Sequence, residues 1–82
     1  MITENIILWE TKYGSIHCCL KDILNKKNIT IYHLERITGI KYDVLKRYYD
    51  DVIVKYDANI LAKLCYSLNI EIKQLLQYER SN

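Results

Sequence analysis

The chain has 82 residues, a net charge of +2 and a half-hydrophobic composition without proline, enough for one small core and too little for two. Only Gly14 and Gly39 interrupt it as glycines, which disfavours turn-rich sandwiches and barrels and points to helices with short connections. No apolar run approaches the roughly 18–20 residues of a membrane span, and acidic Glu4 stands where a signal peptide would be basic, so a cytoplasmic protein without a membrane partner is expected.

Residues 1–14 differ in character from the rest and read as an N-terminal arm, with residues 15–82 as the domain proper. Ile2, Ile6, Ile7, Leu8 and Trp9 form a short apolar stretch that ends at Gly14. Ser15 is placed to cap a first helix, in which Ile16, Cys19, Leu20, Ile23 and Leu24 recur at helical spacing on one face. Asn28 is a left-handed stop, and Lys26 and Lys27 suit the negative end of the helix dipole. Thr30 caps a second helix with Ile31, Leu34 and Ile37 inward. Gly39 supplies the positive φ of a tight turn, and Ile40 plugs that turn into the core. A third helix over about 41–49 carries Leu45 and Tyr48 inward, with Asp43 favoured in its first turn.

After this helix, Val52–Val54 is extended in preference and is a candidate to pair with the arm as a small strand pair. Asp57 caps a fourth helix whose inner face is Ile60, Leu61, Leu64, Cys65 and Leu68, and Asn69 stops it. Glu71 and Gln74 have capping-box spacing for a short fifth helix using Ile72, Leu75 and Leu76. Together these elements predict an all-α fold of five helices around a central helix-turn-helix.

Charge is unevenly spread. Residues 12–47 hold eight cations against three acids, whereas residues 48–82 hold four against five. The positive half contains the helix-turn-helix, which suits a nucleic-acid partner. Of the eight tyrosines, Tyr32, Tyr42 and Tyr49 are candidates to face solvent or DNA. Tyr48, Tyr56 and Tyr66 read as structural. Cys18, Cys19 and Cys65 read as free thiols, with Cys65 in the core and Cys18 exposed enough to oxidise. They and the histidines lack C-x-x-C or H-x-x-x-H spacing, so no metal or cofactor is expected. No phosphate loop, carboxylate pair or nucleophile with a base is recognisable, which argues against an enzyme. No small-molecule effector is evident.

The stretch from Ile31 through Leu34, Gly39-Ile40 and Leu45 to Tyr49 resembles the helix-turn-helix of the Cro/Xre phage-repressor family. Downstream, Val54 to Asp57, Ile60-Leu61, Leu64-Cys65 and Leu68 to Tyr78 are similar to small bacterial Xre-like regulators. In these, a cysteine-containing fourth helix precedes a short fifth ending in Leu-Leu/Ile-x-Tyr. The resemblance spans about residues 16–78 and implies a five-helix, phage-repressor-like DNA-binding domain, usually a transcriptional regulator, here a repressor, and often a homodimer. The C-terminal helix (Leu75, Leu76, Tyr78) and the arm (Ile6, Leu8, Trp9) are the expected dimer surfaces.

The resemblance also implies that Lys41, Tyr42, Asp43, Lys46 and Arg47 read bases or phosphates of double-stranded DNA, with the third helix in the major groove. The residue types fit that task. Arg47 suits guanine O6/N7, Asp43 suits cytosine N4, and Tyr42 can stack or reach a phosphate. Thr30 and nearby amides suit a phosphate at the start of the second helix. Three positions depart from the family pattern. Glu35 stands where alanine is common and must turn outward or pair, Lys46 being a candidate partner. Ile31 replaces a polar phosphate contact, and Asp50-Asp51 occupies a loop that usually faces the DNA backbone. These acids favour an alternative reading, a protein-interaction module such as an antitoxin, anti-repressor or adaptor.

Overall fold

Capping chemistry sets the helix boundaries in the computed structural model, which describes residues 12–81. A strand β1 (Ser15–Cys18) is followed by α1 (Leu20–Lys27), α2 (Ile31–Thr38), α3 (Tyr42–Tyr49), α4 (Ala58–Leu68), α5 (Ile72–Leu75) and β2 (Leu76–Glu79). The Thr30 hydroxyl accepts the His33 amide at 3.0 Å to start α2. Asp57 accepts the Asn59 and Ile60 amides to start α4, and the Gln74 side chain accepts the Glu71 amide at 2.9 Å to start α5.

Three helices end in the same way. Asn28, Asp51 and Asn69 are the non-glycine residues with positive φ among those described. After each, an apolar residue returns its amide to a carbonyl five positions back: Ile29 to Leu24, Val52 to Arg47, and Ile70 to Cys65. This is the Schellman closure, and Asn and Asp tolerate its left-handed residue better than most side chains. Gly39 ends α2 at φ 76°. The Thr38 hydroxyl, donating to the Leu34 carbonyl and accepting from the Ile40 amide, ties the turn that follows.

The core is Leu20, Leu24, Leu34, Ile40, Leu45, Tyr48, Leu64, Leu68 and Leu75, with Cys18 at its edge. The helix-turn-helix is fastened to α4 by Tyr48. Its buried hydroxyl accepts the Asp57 amide at 3.1 Å, and its ring meets Tyr56 edge-on with centroids 5.9 Å apart.

The two ends of the domain differ from the sequence-based expectation. Ser15 is not a helix cap and Ile16 is not on a helical face. Ser15–Cys18 pairs antiparallel with Leu76–Glu79, Ile16 opposite Tyr78 and Cys18 opposite Leu76, and α1 begins only at Leu20. Correspondingly α5 is a single turn, and Leu76 and Tyr78 belong to a strand. This ribbon is the strand pair of the fold. Val52–Val54 forms no strand, and residues 1–11 of its proposed partner, the arm at residues 1–14, lie outside those described. Gly14 makes the ribbon possible. It has φ +83°, and a Cβ there would collide with the Glu79 carbonyl oxygen and lie 3.0 Å from the Tyr78 ring.

Smaller corrections concern burial. Ile37 is about half exposed, and Tyr66 projects from α4 almost fully into solvent, so neither is structural in the expected way. Cys18 is buried and not exposed, and burial raises its thiol above the usual range, away from the reactive thiolate. All three cysteines are free. Among the described residues, no helix is long and apolar enough to cross a membrane.

Candidate nucleic-acid interface

In α3 the core claims Leu45 and Tyr48. At 100° per residue, Asp43 and Arg47 then fall together on the opposite face, one turn apart. Both are exposed, and no ion pair joins them, so each presents its head group to whatever approaches that face. Lys41, also exposed, stands just before the helix with extended backbone and provides no side-chain cap. The first amides of α3 are therefore left for solvent or a ligand.

Tyr42 begins α3 and stacks on Tyr32 of α2, with ring centroids 4.6 Å apart and planes tilted by 30°. The contact brings the opening turns of the two helices side by side. Thr30, two residues before Tyr32, thus shares this face with Tyr42. Its oxygen accepts the His33 amide, which leaves the hydroxyl proton free for donation. The Tyr32–Tyr42 pair is a feature that sequence reasoning did not assemble.

Lys46 is placed differently from the expectation. It does not pair with Glu35 but donates to both Asp50 oxygens at 2.7–2.8 Å across one helical turn. That hydrogen bond raises its ammonium above the ordinary lysine range. Its Nζ also lies 5.5 Å from the Tyr49 ring centroid, and the Lys21 Nζ approaches the same ring at 6.0 Å. Lys46 is thus oriented along the flank of α3. Glu35 is half-buried and has no ion pair among the described residues.

The two acids after α3 have separate fates. Asp50 is neutralised by Lys46. Asp51 turns back toward the ribbon, where one oxygen accepts the Cys18 amide at 2.7 Å and the other meets His17 Nδ1 at 2.8 Å. Partial burial pushes the Asp51 carboxyl upward, but the Cys18 amide and His17 outweigh it and hold the group below its usual range. A sequence cue existed for Asp51, since an Asp shortly after a helix can take the left-handed backbone that Asn28 and Asn69 take, although it stands two residues past α3 and they stand one past their helices. Its partners, more than thirty residues away, had none.

With this geometry in hand, one comparison is positive. A family model described as the Cro/C1-type HTH DNA-binding domain matches residues 19–81. No curated protein and no solved structure matches the chain.

Proposed function

We propose, from the premise that the chain belongs to the Cro/C1-type HTH DNA-binding domain family, that it is a cytoplasmic transcriptional regulator. In this reading it acts as a repressor that binds double-stranded DNA sequence-specifically with α3 in the major groove. The observation that carries the reading is the outward face of α3. Among the described residues Arg47 and Asp43 have no ion pair on it, while the two acids that would repel phosphate are engaged elsewhere, Asp50 by Lys46 and Asp51 by the ribbon. The engagement of both acids favours this reading over the protein-interaction alternative.

In this reading Arg47 and Asp43 meet base edges. Tyr42, braced by Tyr32, borders the groove. Lys41, Lys46 and Thr30 hold phosphates. One eight-residue helix spans only about 12 Å, a half-site, so two copies bind a two-fold site. The reading is tested by fluorescence anisotropy on duplex DNA at about 50 and about 200 mM salt. Two to three phosphate contacts per half-site predict an affinity loss of about tenfold or more between the two. No salt-dependent binding at micromolar protein would refute it.

A further inference from the structure

His17 is the meeting point of three elements. It lies on β1, opposite Gln77 of β2. Its Nδ1 is 2.8 Å from Asp51 Oδ2 and its Nε2 3.0 Å from Glu79 Oε1, with the Ser15 hydroxyl 2.9 Å from Nε2. A neutral imidazole has one N–H, so only the protonated ring can donate to both carboxylates at once. The Cys19 amide bonds to the Leu75 carbonyl, which places 17/77 and 15/79 in the hydrogen-bonded pairs of the ribbon and turns the Cys18 amide to its free edge. Asp51 meets that edge. Because Asp51 is also the left-handed residue that closes α3, through Asp51 to Tyr48 and Val52 to Arg47, the ribbon grips the turn that carries Arg47.

We propose that His17 is a positioning residue for DNA recognition: protonated, it ties the C-terminal end of α3 to the ribbon through Asp51 and Glu79, and its deprotonation weakens DNA binding. The inference rests on the reading of α3 as the DNA-facing helix. With the ring protonated, His17, Asp51 and Glu79 carry a net charge of −1. Loss of the proton makes it −2, beside the negative end of the α3 dipole. The neutral ring keeps Nδ1–H on Asp51 and accepts the Ser15 hydroxyl proton at Nε2. Glu79 is then expelled, and the Asp51 bond loses its charge assistance.

The titratable groups around the ring are few. Asp51 approaches from the end of α3, Glu79 from β2, and Cys18 from β1 itself, with Cys19 and Tyr56 beside Asp51. Burial raises the two thiols and the phenol, so they stay neutral where His17 titrates. The hydrogen bonds to Asp51 and then Glu79 raise His17 above 6.5. The latch is therefore complete below about 6.5 and is lost as pH rises through the higher folded value. Asp51, held below 3.8, keeps its side charged throughout that range.

The test is duplex affinity by anisotropy at fixed ionic strength, at about pH 6 and about pH 9. It is made in a His33→Gln background, because His33 is the chain's other histidine and its amide is held by the Thr30 cap. The expected loss is about threefold on raising the pH, from one added charge at a screened distance. Adding His17→Gln should give the weaker affinity at both pH values. Adding His17→Arg, which stays charged and spans both carboxylates, should restore the tighter affinity at both. A purely structural role would shift affinity equally at every pH, and an unchanged profile in both variants overturns the coupling while leaving DNA reading intact. Absence of salt-dependent binding by the unmodified protein at about pH 6 overturns the DNA reading, and the positioning role with it.

Discussion

Replacing each glycine by alanine separates a conformational cost from a steric one. Both positions are left-handed, φ 83° at Gly14 and 76° at Gly39, a conformation that costs an L-residue about 1–2 kcal/mol. Alanine returns about 0.4–1 kcal/mol by restricting the unfolded chain. At Gly39 nothing lies within 4 Å of the new Cβ, so the net destabilisation is about 1 kcal/mol. At Gly14 the Cβ strikes the Glu79 carbonyl and presses on Tyr78. The end of the ribbon must part, and the 2.8 Å bond from the Tyr78 hydroxyl to the Tyr13 carbonyl goes with it. Overpacking of that kind adds about 1–3 kcal/mol, giving about 2–4 kcal/mol in total. Urea unfolding followed by circular dichroism reads both values, and about 4–8 °C of Tm accompanies each kcal/mol in a domain of this size. Hydrogen exchange should show the β1 and β2 amides deprotected in Gly14→Ala and unaffected in Gly39→Ala. A Gly39→Ala variant as unstable as Gly14→Ala would refute the reasoning.

The Lys46→Ala/Arg47→Ala double variant should lose about tenfold or more in DNA affinity. Its stability should fall only slightly, because the Lys46–Asp50 pair it loses is exposed to solvent, and comparable loss of both would show that these side chains support the fold instead. Tyr56→Phe should be neutral or stabilising in thermal unfolding, because its hydroxyl is buried with no hydrogen-bond partner among the described residues. Tyr48→Phe, which deprives the Asp57 amide of its acceptor, should cost about 1 kcal/mol, and the reverse order would contradict the assignment. Asp51→Asn tests the depressed carboxyl. Asparagine tolerates the same backbone, so the variant should be less stable than the parent at neutral pH. The gap should close as pH falls through the Asp51 value below 3.8, and a gap constant down to about pH 2 would show that charge plays no part.

The helix ends were legible in the sequence because capping is local. Thr30, Gly39, Asp57 and Asn69 each act within a few residues of themselves. The inward faces of α2, α3 and α4 were legible at Leu34, Leu45, Tyr48, Leu64 and Leu68 because helical periodicity repeats. The ribbon was not, since Ser15–Cys18 and Leu76–Glu79 are four-residue runs, too short for periodicity to distinguish strand from helix. Their pairing also joins opposite ends of the chain. At the candidate site, Lys41, Asp43 and Arg47 were named from the family resemblance, and all three are exposed while α3 buries Leu45 and Tyr48. Lys46 was misassigned to Glu35 although Asp50 lay at the i+4 position of the same helix, where ion pairs form at little entropic cost. The role of Asp51 depends on His17 and Cys18, a contact that only the tertiary fold creates.

The central claim is that α3 and the start of α2 form the DNA-facing surface while the ribbon stands behind them. Chemical-shift mapping of the isotope-labelled protein titrated with duplex DNA tests it most directly. The account predicts the largest perturbations at Thr30, Tyr32, Lys41, Tyr42, Asp43 and Arg47. The amides of Ser15–Cys18, Tyr66 and Leu76–Glu79 should be little changed at the same saturation. Perturbations centred on the ribbon or on α4, with Lys41–Arg47 unmoved, would contradict it.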